Sequence, residues 1–331
     1  MQSLNSPTDR TLDQTQAPVP DLSIVIVSWN VRDLLAACLD SIHIAAISSA
    51  GLTVEVIVVD SASHDGTLDM LNMRYPWVQR LPQTENVGFT VGNNIGLTAA
   101  RGRYLMLLNP DTEVIGDALA QMVAYLEKHP AVGMVGPHTL NTDGSTQSSK
   151  RRFPTVQTAV FESTWLQKFA PRGLLDRYYT VDIPADATAE VDWMQGSALM
   201  IRRAAYTQVG GLDTHFVMFS EEVDWCKRVK AAGWHIVYVG STRIIHHGGK
   251  STDQVTARKH IHFQQSKLYY FRKHHGALIA NGLRLFLLIS YFQQAIMESL
   301  KVAIGYKRLM RNERRQRVGV YWQVIRALVS G

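Results

Sequence analysis

The stretch "YLMLLNPDTEV", Tyr104 to Val114, decides the fold of this chain. Its first half is an uninterrupted apolar run, which is typical of a strand buried on both faces of a sheet. The run breaks at Pro110, which is flanked by Asn109 and Asp111. Because open α/β sheets bind ligands beyond the carboxyl ends of their strands, we expect Asp111 to stand at a binding site.

The segments around this stretch alternate between short β-branched runs and lengths that suit helices. The runs "LSIVIVS" (22–28) and "VEVIVVD" (54–60) predict strands, and each is followed by a segment that predicts a helix. Further on, "SALMIRR" and "HIVYVG" predict strands on either side of a helix over 220–232. This alternation predicts an α/β protein with a parallel sheet covered by helices, interrupted by an aperiodic segment over 141–190.

Composition and charge narrow the class of protein. The 331 residues are 46% apolar, which is typical of a globular protein, and the net charge of +6 suggests an anionic partner. The positive charge is concentrated near the C-terminus instead of being interleaved with aromatic residues, which argues against nucleic acid. Cys38 and Cys226 have neither a metal-ligand spacing nor a disulfide framework, so we expect both to be buried and the protein to be cytoplasmic.

The two ends of the chain differ in character. Residues 1–20 are polar and contain proline, which predicts a disordered leader without a signal peptide or anchor. Residues 277–306 are amphipathic and precede the basic run "KRLMRNERRQR", but only 13 uncharged residues separate Arg284 from Glu298. That length is short of the roughly 20 residues needed to span a bilayer. The segment predicts a helix that lies on an anionic membrane surface, or one that packs on the domain or on a second subunit.

Four motifs near predicted strand ends carry side chains suited to chemistry. Asp60 ends a buried strand, where it accepts a hydrogen bond from a nucleobase or ribose or serves as a turn aspartate. The run "ENVGFTVGNNIG" (85–96) has glycines that let backbone amides approach a diphosphate, although its spacing matches neither a Walker loop nor the dinucleotide fingerprint. Asp111 suits a divalent cation bound through oxygen, or a turn.

The fourth motif is "FSEEVDWCKRV", followed by "IIHHGGKST". Glu221, Glu222 and Asp224 open a helix, where acidic residues suit the helix dipole. Three acids in four positions exceed the needs of a cap, so one of them is a candidate general base. His246 and His247 end an apolar strand, and one of them is a candidate nitrogen ligand or a structural histidine.

With these motifs in place, residues 21–275 resemble family 2 glycosyltransferases of the GT-A fold, in the bacterial rhamnosyltransferase-like branch. The resemblance implies a mostly parallel central sheet flanked by helices. It divides the chain into a nucleotide-binding half (21–115), an acceptor-binding half (116–275) and a C-terminal amphipathic helical extension (276–331). The motifs that carry it are "IVIVSWN", "VIVVDSASHDGT", "NVGFTVGNNIG", "LLNPDTEV", "GSALMIRR", "MFSEEVDWCKR" and "HHGGKS".

The resemblance also assigns roles to individual residues. Glu222 matches the catalytic base, with Glu221 and Asp224 as alternatives because glutamate replaces the family's aspartate. Asp111 and His246, with His247 as the alternative to His246, match the ligands of Mg²⁺ or Mn²⁺. The residues implied to bind the nucleotide-sugar are Ser28, Asn30, Asp60, Asn86, Gly88, Asn93, Asn109 and Asp111. Those implied to form the acceptor side are Trp193, Gln195 and Gly196.

The activity implied is an inverting, metal-dependent transfer of a sugar to a lipid-linked or cell-surface glycan precursor at the inner face of the cell membrane. The "NPD" form of the metal motif favours L-rhamnose from dTDP-rhamnose. A UDP-sugar, such as UDP-galactofuranose or UDP-N-acetylglucosamine, is the alternative donor, because uracil and thymine present the same imide to Asp60. A non-catalytic nucleotide-sugar-binding membrane protein on the same fold, and a homo-oligomer formed through the C-terminal helix, also remain open.

Overall fold

The computed structural model describes residues 18–49, 51–162, 164–248, 256–306 and 308–330. The expected leader over 1–20 therefore lies outside the described residues, apart from its last three. The expected alternation of strands and helices is confirmed in the first half. Its elements are β1 (Leu22–Ser28), α1 (Arg32–Ser48), β2 (Val54–Asp60), α2 (Thr67–Arg74), β3 (Gln79–Pro82), α3 (Gly88–Ala99), β4 (Tyr104–Leu108), β5 (Thr112–Ile115) and α4 (Ala118–Lys128).

The second half begins with a long strand and then passes through short elements in the aperiodic segment. It ends in three long helices. Its elements are β6 (Val132–Leu140), β7 (Lys150–Arg151), α5 (Val156–Phe161), a 3₁₀ helix (Trp165–Phe169), α6 (Leu174–Tyr178), β8 (Ala189–Glu190), β9 (Trp193–Met194), β10 (Ala198–Arg202), α7 (Arg203–Val209), α8 (Glu221–Ala231), β11 (His235–His246), α9 (Thr256–His275), α10 (Ala277–Ala303), a second 3₁₀ helix (Arg308–Met310) and α11 (Arg311–Ser330).

One central sheet, with the strand order β3-β2-β1-β4-β10-β6-β11-β5, organises the molecule, and β8 also pairs with β11. The expected α/β fold is confirmed. The first four strands in this order pair in parallel, as the sequence predicts. The other half is mixed, because β10 runs antiparallel to both β4 and β6. This strand arrives from the aperiodic segment instead of from a crossover helix, so its direction is not constrained to be parallel.

Both faces of the sheet are covered by helices. One apolar cluster joins the sheet to α1, α2 and α4, and the other joins it to α3 and α8–α11. Cys38 lies in the first cluster and Cys226 in the second, and both are buried free thiols, as expected. Because helices cover both faces of the sheet, we expect polar side chains to contact a ligand at the ends of the strands.

The C-terminal helices pack against the second cluster along one side. Leu283 and Leu287 of α10 are buried there, whereas Leu285 and Ile289 on its other side are each 60% exposed. Among the described helices, none combines the length and the apolar character needed to cross a membrane. The expected amphipathic helix is confirmed, but the boundary between the transferase domain and the tail stays a prediction.

Candidate active site

The carboxyl ends of β1 and β2 place Ser28 beside Asp60 in the parallel register. Asp60 is buried, and its Oδ2 accepts a hydrogen bond from the Ser63 amide at 3.1 Å. Asp60 Oδ1 and Ser28 Oγ are buried without a hydrogen bond to the part of the chain that the structure describes. Because buried polar atoms are nearly always paired, these two atoms point to a polar ligand at the strand ends.

Asparagine side chains brace the loops next to Asp60. Asn30 has a φ of 52°, and its Oδ1 accepts from the amide of His64 at 2.8 Å. Asn86 Oδ1 accepts from Ser61 Oγ at 3.1 Å and from the Gly88 amide at 3.0 Å. These bonds fix both loops, so the surroundings of the Asp60 carboxylate are ordered before a ligand binds.

The remaining part of the "NVGFTVGNNIG" motif serves helix packing. Gly92 and Gly96 lie inside α3 and face β1, where a β-carbon at Gly92 would be only 2.8 Å from Val27 Cγ1. Asn93 is buried, and its Nδ2 donates to the carbonyl oxygen of Phe89 at 2.9 Å. Gly92 and Gly96 therefore serve the packing of α3 on β1, whereas the expected nucleotide-sugar contacts of Asn86, Gly88 and Asn93 stay predictions.

The ends of β4 and β11 bring Asn109, Asp111 and His246 together. His246 Nε2 lies 3.3 Å from Asp111 Oδ1 and 3.4 Å from Asn109 Nδ2. On the other side of the ring, His246 Nδ1 donates to Gln147 Oε1 at 2.7 Å. An amide oxygen only accepts, so Nδ1 carries a proton, and Nε2 is the ring nitrogen that the neutral imidazole presents as a lone pair toward Asp111.

Gln147 is itself held in the orientation that this bond requires. Its Nε2 donates to Asn141 Oδ1 at 3.0 Å, and its backbone amide donates to the Thr139 carbonyl oxygen at 2.9 Å. Sequence reasoning missed Gln147 because it lies in the aperiodic segment, where no pattern marks it. A partner of this kind fixes both the tautomer and the direction of a metal-binding histidine.

The neighbouring histidine has a different environment. His247 Nε2 lies 2.6 Å from Glu113 Oε1, and the His247 amide donates to the Asp111 carbonyl oxygen at 2.9 Å. The structure thus brings the imidazole of His246, and not that of His247, to the Asp111 carboxylate.

The donor atoms at this point fit a divalent cation that is bound to phosphate. They comprise the Asp111 carboxylate and the Nε2 atom of His246. Asn109 turns its Nδ2 toward this imidazole, and its Oδ1 is buried without a hydrogen bond to any described residue. Across the described residues, no group of three His, Cys, Asp or Glu side chains forms a complete metal site. Mg²⁺ and Mn²⁺ at phosphate sites take only one or two protein ligands and complete their shells with phosphate oxygens and water.

The start of α8 places Glu221 and Glu222 after a strained turn. Phe219 and Ser220 have φ values of 71° and 65°, in the left-handed region that non-glycine residues rarely adopt. The Oε2 atoms of both glutamates are buried and make no hydrogen bond within the described residues. Burial raises the pKa of Glu222 to about 7, and burial together with the charge of Glu222 raises that of Glu221.

Asp224, in the same helix turn, is placed differently. Its carboxylate is fully buried, forms ion pairs with Arg228 at 2.8 Å and Lys273 at 2.7 Å, and accepts a hydrogen bond from His274 Nε2 at 2.8 Å. Burial alone would raise the pKa of Asp224, but the bonds from Lys273 and Arg228 outweigh it and lower that pKa. An ionised, fully paired carboxylate suits the anchoring of α9 to α8 better than proton transfer.

One cavity joins the candidate base to His246 and Asn109, whereas Asp111 is not part of its wall. It has a volume of about 380 Å³. It is lined by Phe89, Asn109, Gln147, Gln195, Gly196, Ser197, Met218, Phe219, Glu221, Glu222, His246 and Lys259. Asp224 is absent from this lining, and Ser28 and Asp60 lie outside it at the ends of their strands. Phe219 and Lys259 were not predicted, because Phe219 is an apolar residue beside the acids of the fourth motif and Lys259 belongs to no recognised motif.

The expected acceptor side is divided between this cavity and a second one. Gln195 lines both cavities, and Gly196 lies where a β-carbon would be 3.6 Å from Glu222 Cβ. Trp193 is buried, its Nε1 donates to the Arg152 carbonyl oxygen at 2.8 Å, and its ring lines the second cavity alone. Its expected stacking on a sugar stays a prediction.

The fold and this cavity define a glycosyltransferase of the GT-A class, and comparison with known proteins specifies the family. The profile of "Glycosyl transferase family 2" matches residues 23–226, so the chain belongs to this family, as its motifs predict. The chain is 28% identical over 270 residues to N-acetylglucosaminyl-diphospho-decaprenol L-rhamnosyltransferase of Mycobacterium tuberculosis, covering 77% of this chain and 85% of the relative. It is 26% identical to rhamnosyltransferase WbbL of Escherichia coli, covering 48% of this chain and 61% of WbbL.

A solved structure supports the same fold. The mannosyltransferase PcManGT of Pyrobaculum calidifontis, in complex with GDP-Man and Mn²⁺, superposes with a TM-score of 0.55 at 16% identity. The alignment covers 94% of this chain and 86% of that protein. This likeness confirms the expected fold class.

Proposed function

We propose that this protein is an inverting, metal-dependent glycosyltransferase that moves L-rhamnose from dTDP-rhamnose to a hydroxyl group of a lipid-linked glycan precursor. The observation that carries the proposal is one cavity that contains both the half-buried carboxylate of Glu222 and the His246 imidazole that faces Asp111. The names of the two rhamnosyltransferase relatives support the choice of sugar, and the name of the mycobacterial one supports the lipid-linked acceptor.

Glu222 acts as the general base in this mechanism. A carboxylate whose pKa is raised to about 7 is ionised in part at neutral pH and binds a proton more strongly than an ordinary glutamate. It takes the proton from the acceptor hydroxyl as that oxygen attacks C1 of the sugar. Gly196 leaves room beside Glu222 for the acceptor, because it has no side chain there.

Asp111 and His246 would hold the divalent cation, and Gln147 would keep the imidazole turned toward it. When bound, the cation offsets the charge that develops on the departing diphosphate. Asn109 lies beside the same imidazole, with its Nδ2 3.4 Å from His246 Nε2. The bond from His246 Nδ1 to Gln147 leaves Nε2 as the ring nitrogen that would reach the metal.

Asp60 recognises the nucleobase at the other end of the donor. Its Oδ2 is occupied by the Ser63 amide, whereas its buried Oδ1 is open to a donor such as the imide N–H of a pyrimidine. This contact does not distinguish thymine from uracil, so the methyl group of thymine would have to be selected by packing, at about 1 to 3 kcal/mol.

The donor is tested by calorimetric titration with dTDP-rhamnose and with a panel of UDP-sugars, each with Mn²⁺ and with EDTA. We expect metal-dependent binding that prefers dTDP-rhamnose. A preference for a UDP-sugar would replace the donor, and binding without turnover on any lipid-linked acceptor would favour a non-catalytic nucleotide-sugar sensor.

We further propose that α10 holds the enzyme on the inner membrane surface. Six apolar residues at least 42% exposed fall along one side of this helix, opposite its buried side. They are Leu278, Leu285, Ile289, Phe292, Ile296 and Leu300. The exposed Arg311, Arg315 and Arg317 follow on α11 and supply the charge that anionic lipid attracts.

Sedimentation with vesicles tests the membrane contact. We expect the wild type to sediment with anionic but not with neutral vesicles, and the triple substitution L285S/I289S/F292S to remain in the supernatant. The matched control is I44S/I47S, which removes two exposed apolar residues from α1. Unchanged sedimentation of the triple variant would remove α10 from this role, and a loss of dimers instead would assign its face to a second subunit.

A further inference from the structure

A second cavity lies directly behind the candidate base. It has a volume of about 260 Å³ and shares Gln195, Phe219 and Glu222 with the catalytic cavity. Unlike the catalytic cavity, it has two buried cations in its wall, Arg151 and Lys267, each less than one tenth exposed. The transfer mechanism proposed above uses neither of them.

Lys267 projects from α9 into this cavity without an adequate partner. Its Nζ makes no hydrogen bond to the described residues, and the Glu162 Oε2 atom is 3.7 Å away, which is longer than an N–H···O bond. The Nζ also lies 4.7 Å from the centre of the Phe263 ring. A buried ammonium group is costly to leave without hydrogen bonds, so this arrangement favours a ligand that brings oxygen acceptors.

Arg151 presents a second, fixed cation to the same space. Both hydrogen bonds that the structure describes for its side chain leave from Nη1, to Ser148 Oγ at 2.7 Å and to the Lys150 carbonyl oxygen at 2.9 Å. Its guanidinium lies over the Tyr179 ring at 4.6 Å. A guanidinium held in this way is preorganised for phosphate oxygens, with Nε and Nη2 as the remaining donors.

A groove between α9 and α10 adjoins this cavity. It has a volume of about 560 Å³, shares Phe219 and Phe263 with the second cavity, and passes Leu287 and Tyr291 of α10, although Gln264 and Gln294 also line it. It meets the catalytic cavity as well, at Phe219 and Lys259. The base, the two buried cations and the groove therefore adjoin one another around Phe219, and a lipid-linked sugar carries the matching groups: a hydroxyl on the sugar, a phosphate and a prenyl chain.

We infer that Lys267 and Arg151 bind the phosphate group of the acceptor, with the sugar at Glu222 and the prenyl chain in the groove between α9 and α10. This inference rests on the proposed function, because it names the part of the acceptor that the enzyme recognises. Glu162 faces Lys267 at 3.7 Å and offsets part of the positive charge of the site.

The test compares two acceptors that carry the same sugar. One is N-acetylglucosamine linked through diphosphate to farnesol, and the other is octyl N-acetylglucosaminide, which has no phosphate. For the wild type we expect a KM at least about tenfold lower for the diphosphate compound, as charge-assisted hydrogen bonds allow. In Lys267→Met this preference should fall below about threefold, while the Kd of the nucleotide-sugar stays unchanged.

Lys227→Met is the matched control. The Lys227 Nζ lies 5.4 Å from the centre of the ring of Tyr270, a residue that lines the second cavity. Lys227 itself is not part of the wall of that cavity. A preference that survives in Lys267→Met, or one lost equally in Lys227→Met, overturns the inference. If the wild type transferred no sugar from a nucleotide-sugar to either acceptor, that result would instead contradict the proposed function.

Discussion

The two sides of the catalytic cavity hold their carboxylates in opposite ways. At the end of β4, Asp111 faces an imidazole lone pair that Gln147 has fixed in place. At the start of α8, Glu221 and Glu222 lie beside each other, and each has a buried oxygen without a hydrogen bond among the described residues. The first arrangement offers ligand atoms to the proposed cation, and the second raises the affinity of the carboxylates for a proton. The difference shows how neighbouring carboxylates acquire unlike chemistry from their surroundings.

Replacing the base should give the largest effect on turnover. Glu222→Gln should lower kcat by about 10² to 10⁴, since it removes general base catalysis, and leave the Kd of the donor unchanged. The wild-type kcat/KM should rise with pH through an apparent pKa near 7, because only the ionised carboxylate accepts a proton, and this limb should vanish in the variant. Steady-state kinetics of both variants measure these effects, with Glu221→Gln as the control. A larger loss of kcat in Glu221→Gln than in Glu222→Gln would make Glu221 the base.

Asp224 sharpens the comparison, because it lies in the same turn as Glu222 but forms ion pairs with two cations, Arg228 and Lys273. Asp224→Asn should lower the free energy of unfolding by about 3 to 5 kcal/mol, since it leaves buried cations without a counter-charge. Urea unfolding measures this loss, and Glu313→Gln, at an exposed pair with Arg317, should change little. A stable Asp224→Asn protein that has lost its turnover would give Asp224 a catalytic role.

Gln147 tests the metal side of the comparison. Gln147→Leu should raise the Mn²⁺ concentration needed for half-maximal donor binding by about 10- to 100-fold, because the tautomer and direction of His246 are no longer fixed. Titration of donor binding with Mn²⁺ measures this shift. Gln121→Leu, at a glutamine that bonds to Asp117 on α4, is the control and should have no effect. Equal Mn²⁺ dependence in wild type and Gln147→Leu would separate His246 from the metal.

The smallest effect concerns stability at the acid pair. Because the folded state raises the pKa of Glu221, it binds more protons than the unfolded state, so stability falls as the pH rises above the unfolded pKa. Glu221→Gln removes this charge and should increase the free energy of unfolding at pH 8 more than at pH 5. Chemical denaturation at both pH values measures the difference. An equal change in the free energy of unfolding at pH 5 and pH 8 would show that the charge of Glu221 does not destabilise the folded state.

The sequence could predict the side of the site that is built from strand ends. Asp60, Asp111 and His246 each follow an apolar run, so the period of the strand sets their positions, and the family motifs agree. The other side could not be predicted, because Arg151 lies in the aperiodic segment and Lys267 lies on a helix with several lysines and histidines. Which of these side chains turn inward depends on packing between distant elements, as the contact of Lys267 with Glu162 shows.

The same limit explains why Glu222 and Asp224 look equivalent as acids in the sequence. Their difference arises from Lys273 and His274, which are about 50 residues further on in the chain and reach Asp224 only through the packing of α9 on α8. Likewise, the sequence does not show that Gly92 lies where α3 packs closely on Val27 of β1.

The anomeric configuration of the product tests the central claim most directly. Wild-type protein would be incubated with dTDP-rhamnose, Mn²⁺ and the diphosphate-linked acceptor, and the new glycosidic bond would be assigned by NMR. Direct attack assisted by Glu222 predicts a rhamnoside whose configuration at C1 is opposite to that of the donor. A product that retains the donor configuration would contradict the account, because it requires a route in which Glu222 is not simply the base for a single displacement.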